Sequence, residues 1–242
     1  MSREESESEA LMVPPFRHFL LTRFSVAIFG SRFRDRTWLD RRFELFEKYC
    51  FPSVQAQSNQ SFEWLVFFDS SLPEDLRARV TTYAQFPPFR PIYVKGVRRN
   101  SLREVMQGLA ISSEYIITSR LDNDDALAIG YIEAVQKCFA KQKFEFINIP
   151  NGYIWDGSRA YSVRHTSNGF VSLIERTDRC KTALKFDHRK VAKHGRLLQV
   201  ENMPGWVLVV HGDNVANSVQ GTPVLDTEWK RHFGVSALRG NS

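Results

Sequence analysis

The chain of 242 residues carries 33 Lys and Arg against 27 Asp and Glu, a formal net charge of +6, and 43% of its residues are hydrophobic. This apolar content excludes a wholly disordered chain, and the length is sufficient for a buried core without disulfide or metal cross-links. The apolar runs are far shorter than the roughly 20 residues that a membrane-spanning helix requires. The positive charge suits either an anionic partner or a solvated surface.

Two features of the sequence bear on the cellular compartment. Four of the first ten residues are glutamates, which predicts a disordered acidic tail over residues 1–15 and not a secretion signal. Cys50, Cys138 and Cys180 lie far apart and show no paired spacing, which indicates reduced thiols. We therefore expect a cytoplasmic protein.

Predicted strands and helices alternate from residue 19 to residue 140. An apolar run at 19–29 predicts the first strand, and the Arg-rich segment 32–42 that follows is either a solvated surface or a peripheral contact with the inner face of a membrane. An amphipathic helix, which Pro52 ends or kinks, is predicted from the helical spacing of Leu39, Phe43, Phe46 and Cys50. Further strands are predicted at 62–68, 90–97 and 115–119, with helices at 74–86, 103–112 and 129–140. This alternation is typical of a mainly parallel sheet.

Beyond residue 143 the pattern changes to short apolar segments separated by Gly, Asn and Ser turns. Strands are predicted there at 144–149, 152–155, 161–163, 170–174 and 205–210. Their short spacing favours antiparallel pairing. We find no repeat or flexible linker that would make this half an independent domain.

Acidic residues follow two of the predicted strands. Asp69 ends one strand, and Asp122, Asp124 and Asp125 follow another. Ligands of open α/β sheets bind at the carboxyl ends of the strands, and paired carboxylates on a turn suit a hard cation such as Mg²⁺ or Mn²⁺. The spacing alone is weak evidence, because about 0.6 Asp-x-Asp pairs are expected by chance in a chain of this composition. The alternative interpretation is a helix N-terminus that is capped by Asp before Ala126.

Several segments resemble known glycosyltransferase sequences. Residues 62–70 and 115–127 resemble the second strand and the metal-and-donor motif of nucleotide-sugar glycosyltransferases of the GT-A fold, family 2 type. Residues 42–46, 120–125 and 206–214 resemble more closely the rhamnosyltransferase family, a bacterial group within that superfamily. The resemblance implies an α/β fold of GT-A type, Rossmann-like, with a mostly parallel sheet and a mixed or antiparallel C-terminal half.

The resemblance also implies an activity. A single domain over 16–242 would bind the nucleotide sugar with residues 16–143 and the acceptor with residues 144–242. It would move a sugar, with rhamnose as the candidate, from a nucleotide diphosphate donor to a glycan or lipid-linked acceptor, with Mn²⁺ or Mg²⁺ as cofactor. A degenerate scaffold that binds glycan or an anionic surface, and a sugar-nucleotide pyrophosphorylase, are the alternatives. Nucleic acid is not an expected partner, because the sequence has no nucleic-acid-binding motif.

Site residues follow from the same resemblance. The implied metal ligands are Asp122, Asp124 and His211. The implied contacts to the nucleotide are Arg23, Asp69, Arg120 and Asp122. A lone histidine after a buried strand is otherwise a structural residue, so His211 depends on the resemblance for its role.

The sequence leaves two points open: which carboxylate is the general base, and whether aromatic residues form a wall that stacks on an acceptor sugar. Glu175, at the end of a predicted strand, is our first candidate to deprotonate the acceptor hydroxyl, with Asp178 and Asp213 as rivals. The alternative for Glu175 is an ordinary exposed carboxylate. Candidates for an aromatic wall, which would otherwise be core residues, are Tyr153, Trp155 and Tyr161.

Overall fold

The computed structural model describes residues 15–26, 35–95, 99–109, 112–212 and 218–238, with the backbone alone for 99–103. It is a mixed α/β fold with a seven-stranded sheet, the large sheet, and a five-stranded sheet, the small sheet. The strands are β1 (Phe16–Ser25), β2 (Glu63–Asp69), β3 (Phe89–Val94), β4 (Tyr115–Arg120), β5 (Ala126–Leu127), β6 (Phe144–Asn148), β7 (Asn151–Trp155), β8 (Ala160–Arg164), β9 (Ser172–Arg176), β10 (Leu197–Gln199), β11 (Trp206–Val209) and β12 (Thr222–Pro223). Residues 1–14 of the predicted tail lie outside the described residues.

The described α-helices are α1 (Arg36–Leu45), α2 (Phe51–Gln55), α3 (Glu74–Tyr83), α4 (Arg99–Leu109) and α5 (Tyr131–Lys137). A π-helical segment, Phe46–Cys50, joins α1 directly to α2. Within it the N–H of Phe51 donates to the carbonyl of Phe46, five residues earlier. The helix therefore continues past Pro52, which lies in the first turn of α2, where its missing N–H costs little. The prediction that the helix ends at Pro52 is therefore wrong.

The large sheet has the order β10-β6-β9-β4-β1-β2-β3. Strands β4, β1, β2 and β3 are parallel, as predicted, whereas β9 is antiparallel to both β4 and β6. In the parallel register Leu21 pairs with Arg120 and Ser25 with Phe68. The carboxyl ends of β1, β2 and β4 therefore meet at one edge of the sheet, here called the C-terminal edge, and the opposite edge is called the N-terminal edge.

The small sheet has the order β12-β8-β7-β11-β5. The predicted antiparallel pairing is confirmed for β7 with β8 and for β6 with β9. It is wrong for β11 with β7, which are parallel, although β11 is antiparallel to its other neighbour, β5. Strand β10, which was not predicted, runs parallel to β6. A short hairpin can join only antiparallel strands. The long connection from β9 to β11 lets the chain enter the sheets again in the direction that parallel pairing requires.

The main hydrophobic core lies between one face of the large sheet and α1, α3 and α5, and it extends to the small sheet through Trp206. Trp206 is fully buried and stacks on Phe170 with ring centroids 4.9 Å apart. Its Nε1 donates to the carbonyl of Ile149 over 2.9 Å. A Cβ at position 152 would approach the indole within 2.3 Å, so Gly152 is the residue that lets β11 pack against β7.

The other face of the large sheet is covered by α4 and by the segment between β9 and β10. Cys180 packs there with Phe19 and Leu21, and Ala183 and Val191 pack against β6 and β9. No disulfide joins Cys50, Cys138 and Cys180, all of which the structure describes. Within the described ranges, none of the helices has the length and apolar character needed to span a bilayer.

Candidate active site

A turn of four residues, Asp122 to Asp125, follows β4 at the C-terminal edge. The N–H of Asp125 donates to the carbonyl of Asp122 over 3.3 Å and closes the turn. Asp122 is exposed, whereas Asn123, Asp124 and Asp125 are buried. The next residues form β5 and not a helix, since α5 begins only at Tyr131. The interpretation of these aspartates as a helix cap is therefore wrong.

Two residues of the acidic turn attach it to neighbouring elements. Asp125 Oδ1 accepts the backbone N–H of Val209 in β11 over 2.9 Å. Asn123 Nδ2 donates to the carbonyl of Phe24 at the end of β1 over 3.3 Å. Burial raises the pKa of Asp125 well above its usual range, and the charges of Asp124 and Asp122 add to the effect. The contact from Asp125 to Val209 fixes the end of β11, and so it fixes the position of the histidine two residues later.

That histidine, His211, meets Asp124. His211 Nε2 lies 2.8 Å from Asp124 Oδ2, and Arg42 Nη1 donates to the same oxygen over 2.9 Å. The side chains of His211 and Asp124 are only 6% and 8% exposed. Burial raises the pKa of Asp124, but the hydrogen bond with His211 and the charge of Arg42 outweigh it and hold this pKa below its usual value. Asp124 is therefore a buried carboxylate that stays charged.

Arg42 is the residue of this cluster that the sequence analysis did not identify as a site residue. It projects from α1, lies over the ring of Trp38 at 5.6 Å from the centroid, and donates to Asn123 Oδ1 as well as to Asp124. The available signal was its place in the matched segment 42–46, directly before the buried Phe43. The Arg-rich segment is thus not uniformly a surface feature, and its residues 32 and 34 lie outside the described residues.

Two further arginines lie beside the acidic turn. Arg23 follows Leu21 by two residues in β1, and Leu21 pairs with Arg120 of β4, so both arginines leave the same face of the large sheet. Burial lowers the pKa of Arg23, Asp122 opposes this and Arg120 adds to it, so the three groups interact. Within the described ranges, the buried Nε atoms of Arg23, Arg120 and Arg42 have no hydrogen-bond partner. Unsatisfied buried donors of this kind suit an anion with several oxygen atoms.

Asp69 lies at the same edge, at the end of β2. Its side chain is buried, and its Oδ1 accepts the N–H and the hydroxyl of Ser71 over 2.8 and 2.5 Å. The carboxylate therefore holds the loop that leaves β2. A contact from Asp69 to a nucleobase or ribose stays a prediction.

Glu175 lies at the opposite, N-terminal edge of the large sheet, where it pairs with Ile116 at the start of β4. It is 1% exposed, and its Oε1 and Oε2 accept the N–H groups of Thr182 and Lys181 over 2.8 and 2.9 Å. Asp178 lines a cavity of about 480 Å³ at that same edge, together with Glu175. The structure does not bring either carboxylate to the acidic turn, so it gives no geometric support for their roles as general base. Asp213 lies outside the described residues.

The predicted aromatic wall is largely core. Trp155 is 5% exposed and packs on Trp229, and Tyr153 packs on Trp229 and Phe233. Tyr161 is half-buried and donates its hydroxyl to Asp156 Oδ2 over 3.2 Å. In the described part of the chain none of these three aromatic residues lines the cavity beside His211, although Tyr161 contacts Asp156, which does.

The donor atoms at the turn fit a divalent cation in kind. Asp124 supplies carboxylate oxygen, His211 supplies imidazole nitrogen, and Asp122 is an exposed carboxylate on the same turn. In the part of the chain that the structure describes, no group of three or more His, Cys, Asp or Glu side chains is arranged to hold a metal ion by itself. A cation here would need ligands from its substrate as well as from the protein.

Comparisons with known proteins place the fold. A family model with the description "Putative rhamnosyl transferase" matches residues 18–223. A search of curated proteins gave no match. The solved structure of S. aureus TarS 1–349 in complex with UDP-GlcNAc has a TM-score of 0.50 at 10% identity, over 84% of this chain and 62% of that chain. A structure named as a putative nucleotide-diphospho-sugar transferase from Desulfovibrio desulfuricans G20 has a TM-score of 0.44 at 11% identity, over 93% of this chain and 94% of that chain.

The structural likeness and the family match show different things. At 10% identity the likeness to TarS shows the fold alone, and the chain spans 62% of the length of that solved chain. The family match covers most of the sequence, including both segments that meet at Asp124 and His211. The chain therefore belongs to the rhamnosyl transferase family of glycosyltransferases, with the α/β fold of GT-A nucleotide-sugar transferases.

Proposed function

We propose that the protein transfers a sugar, with rhamnose as the candidate, from a nucleotide diphosphate donor to a hydroxyl of a glycan or lipid-linked acceptor. The observation that carries the proposal is the meeting of Asp124 and His211 at the C-terminal edge, 2.8 Å apart and buried. They come from the two halves of the chain. The Nε atoms of Arg23 and Arg120, which have no hydrogen-bond partner among the described residues, lie on the neighbouring strands. A carboxylate, an imidazole and guanidinium groups in one place suit a diphosphate and its counter-cation.

In this proposal Asp124 and His211 would hold Mn²⁺ or Mg²⁺, with Asp122 on the exposed side. A cation bound there would act as a Lewis acid and stabilise the charge of the diphosphate leaving group. Arg23 and Arg120 would bind and orient the phosphate oxygens with charge-assisted hydrogen bonds. Arg42 would keep Asp124 ionised and fixed in position.

An adjoining cavity of about 370 Å³ is the proposed acceptor site. It is lined by His211 from one side, by Lys48 and Tyr49 of the π-helical segment, and by Asp156 from the β7–β8 turn. The volume lies in the range of pockets that bind small molecules. Among the described residues, Asp156 and Glu44 are the carboxylates that line this cavity, so they replace Glu175 and Asp178 as candidates for the general base.

The test is donor hydrolysis and donor binding with a panel of UDP, GDP, dTDP and CDP sugars, with Mn²⁺, with Mg²⁺ and with a chelator. We expect one nucleotide to be preferred and its affinity to depend on the metal. His211→Ala is expected to weaken the binding of Mn²⁺ by at least about 10- to 100-fold, the usual loss for a residue that only orients a ligand. Calorimetry or the paramagnetic signal of the free ion measures it.

His194→Ala is the matched control, because His194 is exposed and its described ring contact is to Phe186. It is expected to leave both metal and donor binding unchanged. Nucleotide binding that ignores the metal would contradict the metal part of the proposal. An absence of nucleotide binding altogether would favour the degenerate scaffold that binds glycan or an anionic surface.

A further inference from the structure

The positive charge of the chain is concentrated in one segment, residues 176–196, here called the basic strap. The strap holds eight Lys and Arg and two Asp, which gives it a net charge of +6. Of the 33 basic and 27 acidic residues in the chain, 25 of each sign remain outside the strap. The rest of the chain is therefore formally neutral, and the whole excess lies in 21 consecutive residues.

The basic strap follows β4 along one face of the large sheet. It starts at the N-terminal edge, where Thr182 donates its N–H to Glu175. Ala183 then donates its N–H to Thr118 Oγ1 over 2.9 Å, and the carbonyl of Phe186 accepts from Arg120 Nη1 at 3.3 Å. The strap thus runs from the N-terminal edge toward the side chains that surround the acidic turn. It then returns to the start of β6, where the N–H of Phe146 donates to the carbonyl of Arg196 over 2.9 Å.

The strap is apolar on its inner side and basic on its outer side. Cys180, Ala183 and Val191 are buried against the large sheet. The exposed basic residues are Arg179, Lys181, Lys185, Arg189, Lys190, Lys193 and Arg196. Among residues that the structure describes, only Arg189 and Arg196 of these seven form ion pairs, with Asp187 and Glu145. Five outward charges therefore have no ion-pair partner among the described residues.

We propose that the basic strap is a docking surface for an anionic lipid bilayer, which the protein binds by charge alone with this face of the large sheet toward the lipid. Charge complementarity carries this choice of partner, because five unpaired cations on one continuous segment match a plane of anionic head groups. The exposed large hydrophobic residues of the described ranges, Tyr93, Val219 and Leu225, all lie off the strap. Insertion into the bilayer is therefore not expected, and neither is stacking on nucleic-acid bases.

The experiment measures binding of the full chain to vesicles by co-sedimentation. Vesicles of phosphatidylcholine with about 30% phosphatidylglycerol are compared with vesicles of phosphatidylcholine alone in 0.1 M NaCl. We expect binding to the anionic vesicles only, with steep weakening as salt approaches 1 M, because the screening length then falls to about 3 Å. Binding that is equal on both kinds of vesicle, or absent from both, would overturn the proposal.

The triple variant Lys185→Gln, Lys190→Gln and Lys193→Gln locates the surface. Each basic residue near an anionic leaflet contributes about fivefold to partitioning, so this variant is expected to lose roughly 100-fold. The matched control is Lys95→Gln, Lys137→Gln and Arg159→Gln, which removes the same charge from exposed positions off the strap. An equal loss in the control would show that net charge and not the strap determines binding, and it would overturn the proposal.

Two further measurements test the choice of a lipid surface and the independence of the strap from donor hydrolysis. Long-chain polyphosphate, added as a soluble polyanion, is expected to compete with the vesicles, because the binding is electrostatic. A tighter affinity for polyphosphate than for anionic vesicles would overturn the choice of a lipid surface. Donor hydrolysis without vesicles is expected to be unchanged in the strap variant, since none of its three residues contacts the acidic turn. Vesicle binding and donor hydrolysis are independent readouts, so failure of this inference is distinguishable from failure of the proposed transferase function.

Discussion

Asp124 at the C-terminal edge and Glu175 at the N-terminal edge are both buried carboxylates, and they differ in what surrounds them. At the C-terminal edge Asp124 bonds to the side chains of Arg42 and His211. At the N-terminal edge Glu175 bonds to the backbone N–H groups of Lys181 and Thr182. Both carboxylates are removed from water to a similar degree.

The outcome of this burial is opposite at the two edges. The pKa of Asp124 lies below its usual value, whereas burial raises the pKa of Glu175 to about 7 despite its two backbone hydrogen bonds and the nearby lysine charges. The hydrogen bond with His211 and the charge of Arg42 overcome the cost of burying Asp124. The backbone hydrogen bonds and the lysine charges at Glu175 do not. At neutral pH Asp124 is therefore fully ionised and Glu175 is not, and a cation-binding site requires an ionised carboxylate.

The largest expected effect separates the two edges by activity. Asp124→Asn is expected to lower donor turnover, as kcat/KM, by about 10³-fold, the usual loss when a preorganised electrostatic group is removed from an active site. Glu175→Gln is its matched control and is expected to stay within about threefold, because it lies at the other edge. A loss from Glu175→Gln as large as that from Asp124→Asn would move the active site to the N-terminal edge.

A second prediction concerns the stability of the C-terminal edge. Arg42→Ala leaves Asp124 buried without its guanidinium partner, and we expect the free energy of unfolding to fall by about 3 to 5 kcal/mol in urea titrations. Arg159→Ala, at an exposed position, is the control and is expected to change it by less than about 0.5 kcal/mol. A loss below 1 kcal/mol from Arg42→Ala would mean that Asp124 is not held as a buried ion pair.

The order of elements in the N-terminal half was predictable from the sequence, and so was the position of the acidic turn. Buried parallel strands are continuous apolar runs, so β2 and β4 could be located, and their carboxyl ends had to share an edge. The pairing of Asp124 with His211 followed from the family resemblance. Its physical cause, the contact from Asp125 to Val209, depends on how β11 enters the small sheet and has no local sequence signal.

Glu175 and Arg42 show what could not be predicted. A strand end was correctly expected near Glu175, but the sequence does not say which strand β9 pairs with or in which direction. Because β9 runs antiparallel to β4, its end lies at the edge away from the acidic turn. Arg42 reaches Asp124 only because α1 packs against the ends of β1 and β4, which is a tertiary contact between residues 82 positions apart.

A third prediction uses the pH dependence of stability. The pKa of Glu175 is about 7 in the folded protein against an ordinary value of 4.5, so the folded state binds more protons between these values. The contribution of Glu175 to stability is therefore complete below pH 4.5 and is lost as the pH rises to about 7, by up to about 3 kcal/mol. Urea titrations of the wild type and of Glu175→Gln between pH 5 and pH 8 measure it.

The difference between the two proteins isolates this effect. Buried His18 has a pKa lowered to about 3, so it changes stability in the opposite direction over much of the same range. Subtracting the Glu175→Gln curve removes His18, and the remainder is expected to fall with rising pH. The lowered pKa of Asp124 acts only in more acidic solution. A difference curve that is flat between pH 5 and pH 7 would contradict the assignment of a neutral Glu175.

The smallest expected effect concerns the backbone that surrounds Glu175. Thr182 donates its N–H to the carboxylate. Its backbone has φ of +67° and ψ of 152°, a conformation that residues other than glycine rarely adopt. Such strain costs about 1 to 3 kcal/mol, whereas glycine elsewhere is less stable than alanine by about 1 kcal/mol. We therefore expect Thr182→Gly to unfold with a free energy within about 1 kcal/mol of the wild type, and Thr182→Ala to be less stable than Thr182→Gly. This inverts the usual order of the two residues, because only alanine retains the strain. If alanine is the more stable replacement, the backbone at Thr182 is relaxed in solution. The N-terminal edge would then hold its carboxylate without strain, and the contrast with the side-chain cations of Asp124 would rest on charge alone.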